Sequence, residues 1–177
     1  MEDDTKTMLR LKQGDRAAFD DLYERFSKRI YNYVLRYLGN EEASEDITQE
    51  VFLRMYTSAK TYEPTARFST WLFTIATNLA INEYHKSRHT EQITEALLPD
   101  DALPTDERAV LGELEEKFLK VVHRLPENQR TAILLRSYEG MDYREIADVL
   151  KVSEKAVKSL LSRGRERLIH EYQDDHL

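Results

Sequence analysis

The chain contains no cysteine, only four prolines and only five glycines among its 177 residues. Without thiols there can be no disulfide framework, thiolate zinc site or cysteine nucleophile, which suits a reducing compartment. Scarce glycine and proline, with no alternating β-branched runs, leave little material for a sheet, so the expected class is all-α. Long apolar runs are also missing, since no stretch approaches the roughly 20 residues of a membrane span. The N-terminal MEDDTKTMLR is acidic where a secretory signal is basic and then apolar. These absences predict a soluble cytoplasmic protein.

An excess of positive charge is lacking too: 26 Lys and Arg face 33 Asp and Glu, a formal net charge of -7. A net value hides its distribution, and here the distribution matters. Residues 1–90 carry 13 basic and 14 acidic side chains, residues 91–110 carry 1 and 6, and residues 111–177 carry 12 and 13. The flanking parts are nearly neutral and free to build local basic faces.

The middle stretch, with Pro99, Pro104, clustered acids and no apolar period, reads as a linker over 91–110. Before it, Phe19, Leu22, Phe26, Ile30, Tyr33 and Tyr37 recur at helical spacing, with Asp15 as N-cap and Gly39-Asn40 as a stop. Further helices are expected from about Glu41 to Lys60 and from Phe68 to His89. After the linker, helices are expected near Leu111–His123 and Asn128–Tyr138, the latter ended by Gly140. Asp142 can then cap a short helix through Leu150, Lys151-Val152 make a tight turn, and Ser153 can cap a longer helix, which together suggest a helix-turn-helix. The predicted organisation is two small helical domains, 1–90 and 111–177, joined by the acidic linker.

Three surfaces carry chemistry. On the last helix Val157, Leu160, Leu161, Gly164 and Leu168 share one side, while Lys155, Lys158, Ser159, Ser162 and Arg163 share the opposite one. From Ser153 to Ile169 five basic residues face two acidic ones. Short polar groups that approach base edges beside long cations that neutralise phosphates are what a major-groove reader needs. A solvated amphipathic helix is the plain alternative, and the preceding capped helix and turn favour DNA. On EEASEDITQEVFLRMY, Ala43, Ile47, Val51 and Met55 turn to a core, while Glu42, Asp46, Gln49, Glu50 and Leu53 share another face. An exposed leucine within an acidic stripe predicts a protein interface for a basic partner, with charge to steer and an apolar residue to bury. No nucleophile, glycine-rich loop or histidine accompanies these acids to make a catalytic pair.

The stretch FSTWLFTIATNLAINEYHKSRH supplies the third surface. Trp71, Ile75, Asn78 and Asn82 fall at i, i+4, i+7 and i+11, on a stripe distinct from the core-facing Leu72, Ala76 and Leu79. His85, Lys86, Arg88 and His89 follow, and the preceding loop adds Tyr62 and Arg67. Rings that stack on unpaired bases, amides that bond their edges and cations that follow a backbone suit single-stranded DNA or a flipped base. Taken singly, the tryptophan and the asparagines are ordinary core and backbone-satisfying residues; the combination points to DNA. His85 and His89 have the spacing of a helical zinc site, but Lys86 stands where H-E-x-x-H requires glutamate, so no metal is expected.

With DDLYERFSKRIYNYVLRYLGN, ASEDITQEVFLRMY, RFSTWLFTIATNLAINEY and the terminal VKSLLSRGRERL in this order, nearly the whole chain outside the linker resembles the extracytoplasmic-function (group IV) sigma factors of bacterial RNA polymerase. The resemblance implies a first domain (sigma region 2) that binds the polymerase clamp helices and opens the minus-ten element. It implies a second (sigma region 4) that reads the minus-thirty-five element and touches the polymerase flap. The clamp pattern E-D-x-x-Q-E-x-F-L matches Glu45, Asp46, Gln49, Glu50, Phe52 and Leu53. The flipped-base pocket matches Tyr62, Asn78 and Asn82, beside Arg67, Trp71, Lys86 and Arg88 from the reading above. The minus-thirty-five contacts match Lys158, Ser159, Ser162 and Arg163, with Lys155 able to add a cation. The sequence departs from the family where many members read G-T-V-K-S-R, having Lys155, Ala156, Val157, Lys158, Ser159 and Leu160 there, and where many carry aspartate, having Asn82. The resemblance also implies an anti-sigma factor as partner, a linker threaded through a polymerase channel, no catalysis and no cofactor. Two rivals stay open on residues alone: a helix-turn-helix regulator with a dimerising or sensing first half, and a magnesium-dependent nucleic-acid enzyme using the acidic stripe.

Overall fold

In the computed structural model, residues 2–88 and 105–174 are described, and among them there is no strand. The first half comprises α1 (Glu2–Lys12), α2 (Ala17–Leu38), α3 (Glu41–Thr57), a 3-10 turn (Ala59–Thr61) and α4 (Phe68–Arg88). The second comprises α5 (Thr105–Arg124), α6 (Glu127–Tyr138), α7 (Tyr143–Leu150) and α8 (Glu154–Asp174).

Local chemistry explains most boundaries. Asp15, the expected N-cap, stands one position before the observed one: Arg16 occupies the N-cap site of α2, while Asp15 Oδ1 accepts from Ala17 N at 3.1 Å. Gly39 ends α2 in the left-handed region (φ 67°), its N–H donating to Leu35 O at 2.7 Å, and Asn40 Oδ1 caps α3 by accepting from Ala43 N at 2.8 Å. The helix expected to reach Lys60 stops at Thr57 and tightens into the 3-10 turn. Helix α1 was absent from the expectations because EDDTKTMLRLK has too few apolar residues to show a period. Packing selects it: Met8 and Leu11 are buried, and Arg25 of α2 reaches Asp4 Oδ1 at 2.5 Å and Thr7 Oγ1 at 3.1 Å. Helix α5 begins at Thr105, inside the stretch expected to be linker; residues 89–104, with His89, Pro99 and Pro104, lie outside the described residues.

Each half has its own apolar interior, Leu22, Phe26, Ile30, Val51, Met55, Phe68 and Leu72 in the first, Leu119, Val122, Ile133, Ile146, Val157 and Leu161 in the second. The two interiors join into one buried cluster. Helix α4 packs on α7, and α2 on α6. At the seam, Tyr37 of α2 is fully buried, with its phenol 3.4 Å from the Thr131 hydroxyl of α6 and pushed up to about 12 by burial.

Candidate functional site

Helix α3 presents Glu45, Asp46, Gln49 and Leu53 to solvent, with Leu53 57% exposed. Glu50 is half-buried and pairs with Arg54 Nε one turn later at 2.7 Å. Phe52 differs from its expected role as a direct contact: it is 2% exposed, because its ring turns under α2 and meets Tyr23 edge-on at 4.8 Å and Phe19 at 6.4 Å. Phe52 therefore supports the surface from below. The residues it supports were missed by the sequence reading. Tyr23 (45% exposed) and Tyr56 (48%) flank the half-buried Phe19, and Tyr56 stands three residues beyond Leu53 on the same helix face. Their signal was available in the i, i+4 pairs Phe19–Tyr23 and Phe52–Tyr56, in which an aromatic facing the core is followed one turn later by an exposed tyrosine. The result is an acidic stripe ending in an aromatic and leucine ledge.

The second surface is the loop before α4 and the exposed side of that helix. Tyr62 corrects an expectation: it is 2% exposed, its ring edge-on to Trp71 at 5.0 Å and to Phe68 at 6.4 Å. Its carbonyl also receives Lys12 Nζ of α1 at 2.7 Å. The loop folds back so that Tyr62 holds Trp71 in place and cannot itself stack on a base. Trp71 and Ile75 are half-buried, whereas Asn78 and Asn82 are exposed, so neither amide is consumed in the core. Lys86 and Arg88 are exposed at the end of the helix, with Arg88 5.7 Å over the Tyr84 ring. Arg67 is exposed and reaches Glu145 of α7 at 3.0 Å, and His85 Nε2 lies 2.5 Å from Glu127 Oε2 of α6. Among the described residues no cluster of histidine and carboxylate is able to hold a metal ion.

The third surface is α8. Asp142 and Glu145 form a reciprocal capping box on α7, Lys151 turns in the left-handed region (φ 57°), and Ser153 Oγ accepts from Ala156 N at 3.1 Å. Val157 and Leu161 are buried, which aims Lys155, Lys158, Ser159, Ser162 and Arg163 outward, all exposed. Ser162 Oγ donates to Glu166 Oε1 at 3.0 Å. Gly164 permits the close approach of α6: a Cβ there would meet Ile133 Cγ1 at 2.9 Å. A capped helix, a tight turn and a helix buried along one side make a helix-turn-helix with its cations in solvent.

Residues 22–90 match the family model Sigma-70 region 2, and residues 115–168 match Sigma-70, region 4. The chain is 31% identical over 186 residues to the ECF RNA polymerase sigma factor SigW of Bacillus subtilis, covering 96% of each chain. It is 32% identical over 178 residues to the RNA polymerase sigma-H factor of Pseudomonas aeruginosa, covering 94% of this chain and 92% of that one. Its fold is similar to CnrH in the complex with the cytosolic domain of CnrY, at TM-score 0.76 and 22% identity over 97% of this chain and 98% of that one. It is also similar to the sigma factor RpoE in complex with the anti-sigma factor NepR from Bartonella quintana, at TM-score 0.72 and 21% identity over 88% of this chain and 96% of that one.

Proposed function

The chain belongs to the extracytoplasmic-function sigma factors of bacterial RNA polymerase, and we propose that its three exposed surfaces divide the work of initiation. A sigma factor binds core polymerase, directs it to particular promoters and opens the minus-ten region. Here the α3 stripe of Glu45, Asp46, Gln49 and Leu53, with the Tyr23 and Tyr56 ledge, docks on the clamp helices. Acids steer a basic partner, and the ledge loses water on contact. The α8 face of Lys155, Lys158, Ser159, Ser162 and Arg163 lies in the major groove at the minus-thirty-five element, with the same half touching the flap.

The α4 face captures the opened strand. Trp71 supplies a ring edge and Asn78 and Asn82 bond base edges, while Arg67, Lys86 and Arg88 follow phosphates. Opening the duplex costs about 1.4 kcal/mol per stacked step, and hydrogen bonds from the two amides to base edges, with phosphate contacts from the cations, offset that cost. A few captured bases thus offset a few lost steps, provided polymerase has already fixed the DNA in place. The observation that carries this reading is the exposure of both amides on the stripe they share with Trp71.

The protein adds no catalytic step and takes no cofactor; nucleotide chemistry belongs to polymerase. It works in the cytoplasm, where its polymerase acts; among the described residues no helix is long and apolar enough to cross a membrane. An anti-sigma factor is a further partner, in keeping with the complexes named for the structures of similar fold. Transcription reconstituted with core polymerase on genomic fragments tests the reading. Promoter-dependent transcripts are expected only with this protein present; tight binding to duplex operator without polymerase, and no transcript, would replace it with a helix-turn-helix regulator.

A further inference from the structure

The turn between α1 and α2, the end of α3 and the 3-10 turn enclose a pocket of about 510 Å³ in the first half. Lys12, Arg16 and Lys60 line it, and among its described lining residues there is no carboxylate. In a chain of net charge -7 this gathering of cations is a local reversal. Lys12 is fixed by donating from Nζ to Tyr62 O at 2.7 Å, whereas the exposed Arg16 and Lys60 have no ion-pair partner among the described residues. Asp15, beside Arg16 in sequence, is held by Arg10 at 2.7 Å. Carbonyls at the end of α3, which would repel an anion, are covered: Thr57 Oγ1 donates to Leu53 O at 3.0 Å, and the Ser58 N–H reaches Arg54 O and Tyr56 O. Gly14, at φ 98°, leaves one wall bare, with nothing within 4 Å of where a Cβ would stand.

We propose that this pocket binds a nucleoside polyphosphate, with its phosphates on Lys12, Arg16 and Lys60 and its base against Tyr56. The volume falls within the roughly 300–1,000 Å³ of small-molecule sites, more than a lone phosphate fills. Three cations without an acid favour a ligand of several negative charges over a neutral or zwitterionic one. Tyr56 lines the same pocket, 48% exposed, its ring edge-on to Phe19 at 5.7 Å. An aromatic surface beside bound phosphates suits a base, because every base has a π-face to pack on it. Nucleoside triphosphates, the substrates of the polymerase, have this chemistry. Tyr56 also belongs to the ledge that docks on the clamp helices, so a bound nucleotide and the clamp compete for one ring. The competition rests on that docking reading; the binding of the nucleotide does not.

Isothermal titration of the full chain with metal-free ATP, inorganic triphosphate and a random single strand of about a dozen nucleotides tests the site. Arg16→Gln with Lys60→Gln removes two of the three lining cations at exposed positions, where folding stability changes little. Lys117→Gln with Arg144→Gln, both exposed, removes equal charge elsewhere and serves as control. ATP is expected to bind the parent, to bind the pocket variant about tenfold more weakly, and to bind the control within about twofold of the parent. Tyr56→Ala is expected to weaken ATP about fivefold or more and triphosphate less than about twofold. No binding of ATP to the parent, or equal affinity in the pocket variant and the control, overturns the proposal. ATP and triphosphate binding alike, with Tyr56→Ala without effect, overturns the nucleotide as ligand. A single strand that loses affinity in the pocket variant while ATP does not bind makes opened DNA the source of the phosphates instead. Saturating ATP is expected to lower core polymerase affinity for the parent and not for the pocket variant. An unchanged polymerase affinity in a protein that binds ATP overturns the competition alone; if Leu53→Ala also leaves that affinity intact, the docking reading fails while the nucleotide site stands.

Discussion

Removing the Leu53 side chain separates docking from folding. Full burial of a leucine is worth about 1.5–3 kcal/mol, and Leu53 keeps 57% of its surface in the free protein. Covering that remainder against the clamp helices contributes about 1–1.5 kcal/mol, so Leu53→Ala should weaken core polymerase binding about five- to twelvefold. Folding stability should stay within about 0.5 kcal/mol, as for other exposed positions. Phe52→Ala should behave in the opposite manner, since a ring 2% exposed and wedged beside Tyr23 and Phe19 costs about 3–5 kcal/mol when deleted. Competition binding to core polymerase, paired with urea denaturation of the free proteins, reads both quantities. Polymerase affinity within twofold of the parent for Leu53→Ala, in a protein of unchanged stability, would refute the placement of the interface.

Burial holds the His123 imidazole below its ordinary pKa of 6.5, with its Nε2 2.8 Å from Arg36 O at the seam. A depressed histidine binds protons less readily folded than unfolded, so its stabilising contribution is intact above pH 6.5 and is lost as pH falls through that value. Denaturation midpoints should therefore drop more steeply below pH 6.5 for the parent than for His123→Gln; Glu139, whose carboxyl burial raises above 4.5, acts in the opposite sense and is common to both. Lys158→Ala should weaken duplex binding evenly across sequences and reduce the slope of log affinity against log salt by about 0.9. An unchanged slope would take Lys158 off the phosphate backbone. Gly164→Ala gains helix propensity but forces a Cβ against Ile133 at 2.9 Å, for a net loss of about 1 kcal/mol of stability by denaturation.

Legibility followed the range of the interactions. The α2 ladder from Phe19 to Tyr37 and the Asp142 cap are written within one or two turns, and period and cap chemistry disclose them. The outward aim of Asn78, Asn82 and the α8 cations follows from the same periodicity. Tyr62 and Phe52 were misplaced for a physical reason: an aromatic in a loop, or beside an apolar face, is buried by whatever folds over it. Here Trp71 and Lys12 cover the one and Tyr23 the other. The seam was illegible altogether, because Arg67 and Glu145 are 78 positions apart and Arg29 and Glu139 are 110 apart. Their carboxylates look in sequence like any solvated acid, and no period connects them to a cation.

Permanganate reactivity of thymines in the minus-ten region, measured on holoenzyme with the parent protein and with Asn78→Ala, addresses strand capture most directly. Loss of reactivity in the variant, at unchanged closed-complex affinity, is the predicted result. Reactivity and closed-complex affinity falling together, or neither changing, would contradict the assignment of the α4 face to unpaired bases.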